Sequence, residues 1–173
     1  ASMMDHLRSQ GAEVAKLAVA ADRLSDMLPL FELGERDDEP HVLLAMGAAG
    51  VASRVLAARL RNQWTFAGDG VAPGQLPADR MLEHLHFRRI RPDATLYGVT
   101  GNPVMHSRSP IMHNAGFAAL GRNAAYLPLE AADAEDVATF MRALDFQGLS
   151  ITAPFKVTLM PFVDELTDVA LRV

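Results

Sequence analysis

YGVTGNPVMHSRSPIMHN, residues 97–114, decides how this chain is read. Leu96 to Val99 is apolar and suits a buried strand. Gly101, Asn102 and Pro103 stop that strand. Ser109-Pro110 then reads as an N-cap followed by proline at the first helical position. A strand that passes through a polar turn into a helix is where open α/β sheets bind ligands. Ser107 and Ser109 would place two hydroxyls at that edge beside free backbone N–H groups, a setting for a small polyhydroxy acid or carboxylate. A capped βα loop without a ligand has the same local pattern.

The alternation of strand and helix extends in both directions from this stretch. Downstream, strands are expected over 125–129 and 148–152, and helices over 110–120, 134–144 and 155–162, with another from residue 164. Gly121 is a natural stop for the first of these helices. Upstream, strands are expected over 14–19, 41–46 and 64–67, separated by helices over 24–33, 51–60 and 79–87. Gly34 is read as ending the first of these helices. A Gly/Pro-rich loop fills 68–75. Three βα units in a row imply parallel strands joined by right-handed crossovers. RRIRPD, residues 88–93, is charged, carries a proline and lacks periodicity, so the boundary is placed there: one unit over 1–87, a linker over 88–95, a second unit over 96–173.

Composition narrows the function classes. Half of the 173 residues are apolar, which is enough for a globular core, and the net charge of −5 comes without a basic patch interleaved with aromatics. Nucleic acid is therefore not an expected partner. Cysteine is absent, which removes disulfides and thiolate metal sites. No apolar run is long enough to span a bilayer, and Asp5, His6 and Arg8 interrupt any signal-peptide core. A cytoplasmic location is expected. The chain begins on Ala and ends on ALRV within an expected helix, and it is read as a portion of a longer protein.

Lys16 lies among apolar neighbours in EVAKLAV. Desolvation disfavours a lysine's charge, and a lysine so depressed becomes a nucleophile toward ketones through a Schiff base. On a strand edge it would instead snorkel to water. Arg54 is the single charge early in VASRVLAARL and could grip a carboxylate, or lie on the surface. Gln75 ends VAPGQ, a loop that could close over a ligand or merely turn into the next helix. In GLSITAPFK, residues 148–156, a strand ends in Thr152-Ala153-Pro154 and Lys156 follows in a first helical turn. That end of a helix carries partial positive charge, so a lysine there is either functional or simply solvated. His106 and His113 lack metal-ligand spacing and an accompanying carboxylate cluster, so no metal is expected.

Two groups of these residues resemble known families. GAEVAKLAVAADRLSDML, LLAMGAAGVASRV and WTFAGDGVAPGQL, within residues 5–87, resemble the last three βα units of type I 3-dehydroquinate dehydratase, a (β/α)8 barrel with its active site at the C-terminal strand ends. The resemblance implies that Lys16 is the Schiff-base lysine, that Arg54 binds the substrate carboxylate and that Gln75 sits on the closing loop. The family reads Ser where this chain has Val71, and its general-base histidine lies on an earlier strand that His6 does not match.

GNPVMHSRSPIMHNAGF, NAAYLPLE, FQGLSITAPFK and MPFVDELTDVA, spread over 96–173, resemble the substrate-binding domain of shikimate dehydrogenase. That likeness implies that Ser107, Ser109 and Thr152 bind shikimate, that Ser150 is a further contact, and that Lys156 touches the ring hydroxyls and moves a proton. NADP would be bound in a separate part of the parent protein, since no G-x-G-x-x-G occurs here.

The two resemblances in tandem match bifunctional shikimate-pathway enzymes. The implied fold is the end of a (β/α)8 barrel followed by an incomplete α/β domain with a mostly parallel sheet. The implied partners are 3-dehydroquinate and 3-dehydroshikimate or shikimate, in the cytoplasm or, in a plant, the plastid. By itself the piece is expected to be inactive. A metabolite-sensing repressor of the same layout, and a shikimate dehydrogenase with a decayed dehydratase remnant, are the other readings.

Overall fold

The computed structural model describes residues 3–172. A first helix, α1 (Met3–Ser9), precedes strand β1 (Ala15–Ala20). A 3-10 turn (Leu24–Met27) leads directly into α2 (Leu28–Arg36), and β2 (His41–Met46) follows. The helix runs through Gly34, contrary to the expected stop there. A Cβ on Gly34 would lie 2.8 Å from the Leu60 carbonyl oxygen, so this glycine serves close packing. β1 and β2 pair in parallel from Ala15↔His41 to Ala20↔Met46.

The third expected strand, 64–67, does not form, and the first sheet has two strands. The sequence there is β-prone, but the outer edge of β2 is already occupied by side chains. Asn62 accepts from the Leu43 N–H through Oδ1 at 2.7 Å and donates to the Leu43 carbonyl through Nδ2 at 2.8 Å. The Ser53 hydroxyl accepts from the Ala45 N–H at 2.8 Å. Among the described residues, one backbone bond, Gln63 N–H to the His41 carbonyl at 3.0 Å, ties the incoming segment to β2. The helix expected over 51–60 is likewise shorter: α3 (Val51–Val55) breaks into turns that end at Arg61, whose φ is +58°. The helix expected over 79–87 is a π-helical turn (Arg80–His84) and a 3-10 turn (Phe87–Arg89).

The second sheet is built from β3 (Thr95–Gly101), β4 (Ala124–Glu130) and β5 (Phe146–Ile151), in the order β4-β3-β5 and parallel throughout. Crossovers α4 (Ser109–Ala119) and α5 (Ala134–Ala143) join the strands, and α6 (Phe155–Thr158) follows β5. Asp133 is the N-cap of α5, its side chain accepting from the Asp136 N–H, the arrangement that satisfies an otherwise unpaired first-turn donor. The helix expected from residue 164 is not there: the chain is irregular until a 3-10 turn (Ala170–Arg172), and Val173 lies outside the described residues.

One continuous apolar cluster joins the two sheets. Leu24, Met27 and Phe31 from the first half meet Val137, Phe140 and Leu144 from the second. Phe31 and Phe140 pack edge to face with centroids 6.4 Å apart. Polar contacts reinforce the seam. Asp136, buried on α5, accepts from the Leu24 and Ser25 N–H groups at 2.8 Å each, and Arg23 forms a two-pronged pair with Asp133. The strand ends of both sheets are therefore held by one body.

Candidate functional site

In the first half, the groups expected to bind substrate gather beyond the ends of β1 and β2. Gly47 follows β2 with φ +97°, and its N–H donates to the Pro73 carbonyl at 3.2 Å. Arg54, on α3, donates to the same carbonyl from Nη2 at 3.3 Å. The VAPGQ loop is thereby pinned between Gly47 and Arg54. Gly74 makes that approach possible: its φ is +75°, and a Cβ would fall 2.1 Å from the Gly47 carbonyl oxygen.

Arg54 is only 1% exposed, and burial lowers its pKa. A guanidinium stays protonated even so, which leaves a charge in search of a counter-ion. Among the described residues, two buried side-chain atoms have no hydrogen-bond partner, Nε of Arg54 and Oε1 of Gln75. An unmet buried polar atom costs about 1–3 kcal/mol, so such atoms are rare unless something else satisfies them. One is a donor and the other an acceptor, which suits a ligand with both carboxylate and hydroxyl groups.

Lys16 is the second residue of β1, on the exposed side of the strand with Ala18 and Ala20. Its ammonium sits 4.3 Å above the centre of the Phe66 ring. The aromatic face holds the amine without a hydrogen bond. Lys16 is not hydrogen-bonded to Arg54 or Gln75 among the described residues; it lies near the start of β1, and they lie past the strand ends.

In the second half, the loops after β3 and β5 run side by side. Thr152 N–H donates to the Thr100 carbonyl at 2.9 Å, and Asn102 N–H to the Ala153 carbonyl at 3.1 Å. Gly101 permits the approach, because a Cβ there would lie 2.5 Å from the Thr152 methyl. β4 fixes the turn from the other side. Asn102 Nδ2 donates to the Ala131 carbonyl at 3.0 Å, and Glu130 Oε2 accepts from the Val104 N–H at 3.1 Å. Both loops contain a cis X-Pro bond, Asn102–Pro103 and Ala153–Pro154.

Ser109 is the first residue of α4 and not its N-cap, which is Arg108 and makes no side-chain cap. Ser107 performs that task instead, its Oγ accepting from the Ser109 N–H at 3.2 Å. Both serines and Thr152 are half-buried, while Ser150 and Lys156 are exposed. The structure brings Thr152 against the end of β3. It draws no hydrogen bond between the two serines and Lys156 among the described residues. Lys156 is the second residue of the short helix α6, on a turn begun by the Phe155 N–H bonding back to the Thr152 carbonyl.

Two residues in this region went unremarked in the sequence. Tyr126 is 4% exposed and donates its phenol to the Ser150 hydroxyl at 2.6 Å. Asn114 is buried and bonds both the N–H and the carbonyl of Tyr126 from α4, at 2.8 and 2.9 Å. Tyr126 alternates like any core strand residue, and nothing local distinguishes it. Asn114 had one available signal, a carboxamide on an otherwise apolar face of a helix. His113 stacks on Tyr126 with centroids 4.2 Å apart and planes 11° from parallel.

A cleft of about 320 Å³ lies at the seam between the halves. Arg80 and His84 line it from one side and His106, Ser107 and Arg108 from the other, with no carboxylate among the lining residues. Arg80 also donates to the Met105 carbonyl, tying the serine loop to the first half. No group of three or more His, Asp or Glu residues that could hold a metal ion occurs among the described residues. No described helix is long and apolar enough to cross a membrane.

Comparison with known proteins gives two adjoining matches. The family model for type I 3-dehydroquinase matches residues 1–92, and that for the shikimate dehydrogenase substrate binding domain matches residues 99–173. The bifunctional 3-dehydroquinate dehydratase/shikimate dehydrogenase, chloroplastic, of Arabidopsis thaliana is 32% identical over 97% of this chain and 28% of its own length. The shikimate biosynthesis protein AroDE of Chlamydia pneumoniae is 31% identical over 90% of this chain and 34% of its own. A solved structure of dehydroquinate dehydratase and shikimate dehydrogenase from S. pombe AroM aligns at 32% identity with a TM-score of 0.43, covering 96% of this chain and 32% of that one. The chain thus spans about a third or less of these relatives.

Proposed function

Because the chain belongs to the type I 3-dehydroquinase family and continues into a shikimate dehydrogenase substrate binding domain, we propose that it is part of a bifunctional shikimate-pathway enzyme. The enzyme converts 3-dehydroquinate to 3-dehydroshikimate, then reduces that ketone to shikimate. The boundary between the two functions falls in 88–95. The observation that carries the first activity is the pair of unpartnered buried atoms, Arg54 Nε and Gln75 Oε1, beside the pinned VAPGQ loop.

The Lys16 amine attacks the substrate ketone, and loss of water gives an iminium. The iminium acidifies the neighbouring C–H. A base removes that proton, the β-hydroxyl leaves as water, and hydrolysis of the imine frees the lysine. Arg54, itself buried, pairs with the substrate carboxylate, and a charge-assisted contact of this kind is strong. Gln75 accepts from a substrate hydroxyl as the loop closes.

In the second half, Ser107 and Ser109 hold the carboxylate, and Thr152 and Ser150 bind at the opposing loop. Lys156 exchanges a proton with the ring oxygen whose carbon is reduced or oxidised. The turns after β3, β4 and β5 begin Asn-Pro, Ala-Ala-Asp and Thr-Ala-Pro, so none gives a pyrophosphate the glycine-rich approach it needs. Residues outside 1–173 hold NADP, which supplies the hydride chemistry when bound. The enzyme works in the cytoplasm or, in a plant, the plastid.

Borohydride trapping of the full-length protein with 3-dehydroquinate tests the first role. A covalent adduct on the Lys16 peptide, absent in Lys16→Ala, is expected; no adduct on the wild type would reject dehydratase chemistry. For the second role, Lys156→Ala should lower kcat for shikimate oxidation about 100-fold or more while shikimate still binds. An unchanged kcat would remove Lys156 from proton transfer.

A further inference from the structure

We propose that Tyr126 is a positioning residue for substrate in the shikimate half, acting through Ser150; this rests on the shikimate site proposed above. Ser150 is exposed near the end of β5, an edge strand. A serine hydroxyl in that position can rotate, donating or accepting by turns. Tyr126 removes that freedom. Its phenol reaches across the central strand β3 from β4 and donates to Ser150 Oγ at 2.6 Å, a short bond for two hydroxyls. With one lone pair so engaged, the proton of Ser150 is left to point outward. Ser150 then offers a donor to the site, suited to a carboxylate, carbonyl or hydroxyl oxygen of a polyhydroxy acid.

The phenol can impose this orientation because the rest of Tyr126 cannot move. Its ring stacks on His113 of α4 at 4.2 Å and packs with Val99 and Val104 in a small cluster apart from the main core. Its backbone N–H and carbonyl are both held by the Asn114 side chain. Ring, backbone and hydroxyl are thus fixed by three separate contacts, and the only one directed toward the candidate site is the bond to Ser150. A residue needed for packing alone would have no use for the hydroxyl, since phenylalanine fills the same space.

The test is steady-state shikimate oxidation by the full-length protein carrying Tyr126→Phe, Ser150→Ala and both changes. Tyr126→Phe keeps the stacked ring and deletes only the hydroxyl. The shikimate KM should rise about fivefold to tenfold in each single variant, with a smaller change in kcat and an unaltered KM for NADP. Because Tyr126 acts through Ser150, the double variant should be no worse than Ser150→Ala alone. Multiplying effects, or a Tyr126→Phe enzyme with wild-type KM, would overturn the inference while leaving the shikimate site in place. Wild-type protein that neither turns over nor binds shikimate would instead reject the site itself. If Tyr126→Phe lowers thermal stability, the comparison within the Ser150→Ala background still decides, since a packing defect would add to that variant and a positioning role would not.

Discussion

The Asp136 carboxylate accepts a hydrogen bond from the Leu24 N–H at 2.8 Å, across 112 residues of chain. The same carboxylate also accepts from Ser25 and Ala132. It therefore starts the 3-10 turn of one half while fixed to the first turn of a helix in the other. A buried carboxylate is tolerated because these donors replace its water. Asp136→Ala would strand several amides at once and is expected to cost about 3–5 kcal/mol. Thermal unfolding should show the loss as a lower Tm for the whole body, not as separate melting of one half.

Beside it, Arg23 and Asp133 form an exposed latch. The Arg23 hydrogen bond, aided by the Asp136 N–H, holds the Asp133 carboxyl below its ordinary 3.8. A depressed carboxylate contributes stability that is present above the unfolded value and lost as pH falls through the folded one. The latch should therefore weaken below about pH 4. Solvent screens it, so the effect is small and shrinks with added salt. Asp133→Asn keeps the helix cap and removes the charge. Urea midpoints at neutral and acid pH should converge between this variant and the wild type as pH falls.

Gly74 allows the VAPGQ loop to lie against Gly47. Gly74→Ala places a methyl where the Gly47 carbonyl oxygen already sits and forces a residue with a side chain to φ +75°. A stability loss of about 1–3 kcal/mol is expected from the strain. The loop must also move off Arg54, so the rate of borohydride trapping should fall at least about tenfold. Trapping at the wild-type rate would show that the loop does not need this seat.

Val71 is 79% exposed at the tip of that loop. At that exposure, Val71→Ser should leave the unfolding free energy within about 0.5 kcal/mol of the wild type. If the loop closes over substrate, the new hydroxyl gains a hydrogen bond and the 3-dehydroquinate KM should drop up to about tenfold. An unchanged KM would mean that position 71 does not reach the ligand.

Local signals and distant ones explain what could be read in the sequence. β2, β3 and β4 are apolar runs bounded by Gly, Pro or Asn, and they form close to their expected places. The segment 64–67 has the same appearance yet stays irregular, because the competitor for its partner edge is one carboxamide, Asn62, that no periodicity reveals. Likewise 51–60 is apolar enough for a long helix, but Ser53 spends its hydroxyl on β2 and the helix stops at Val55. Ser107, Ser109 and Thr152, the proposed substrate contacts, stand in short motifs at strand ends that the sequence displays directly. Tyr126 was not, because its partner lies two strands away and its environment is built by α4.

Asn62 and Asn114 do the same thing in the two sheets. Each fills the outer margin of a sheet with one side-chain amide, Asn62 on β2 and Asn114 on β4. A carboxamide has the donor and acceptor of a peptide unit but no chain beyond it, so it caps a ladder without extending it. At Leu43 and at Tyr126 an added strand would have to displace that amide before it could pair. An exposed strand edge is a template for pairing with another chain, and a side-chain amide already seated on it blunts that template without adding a strand of its own.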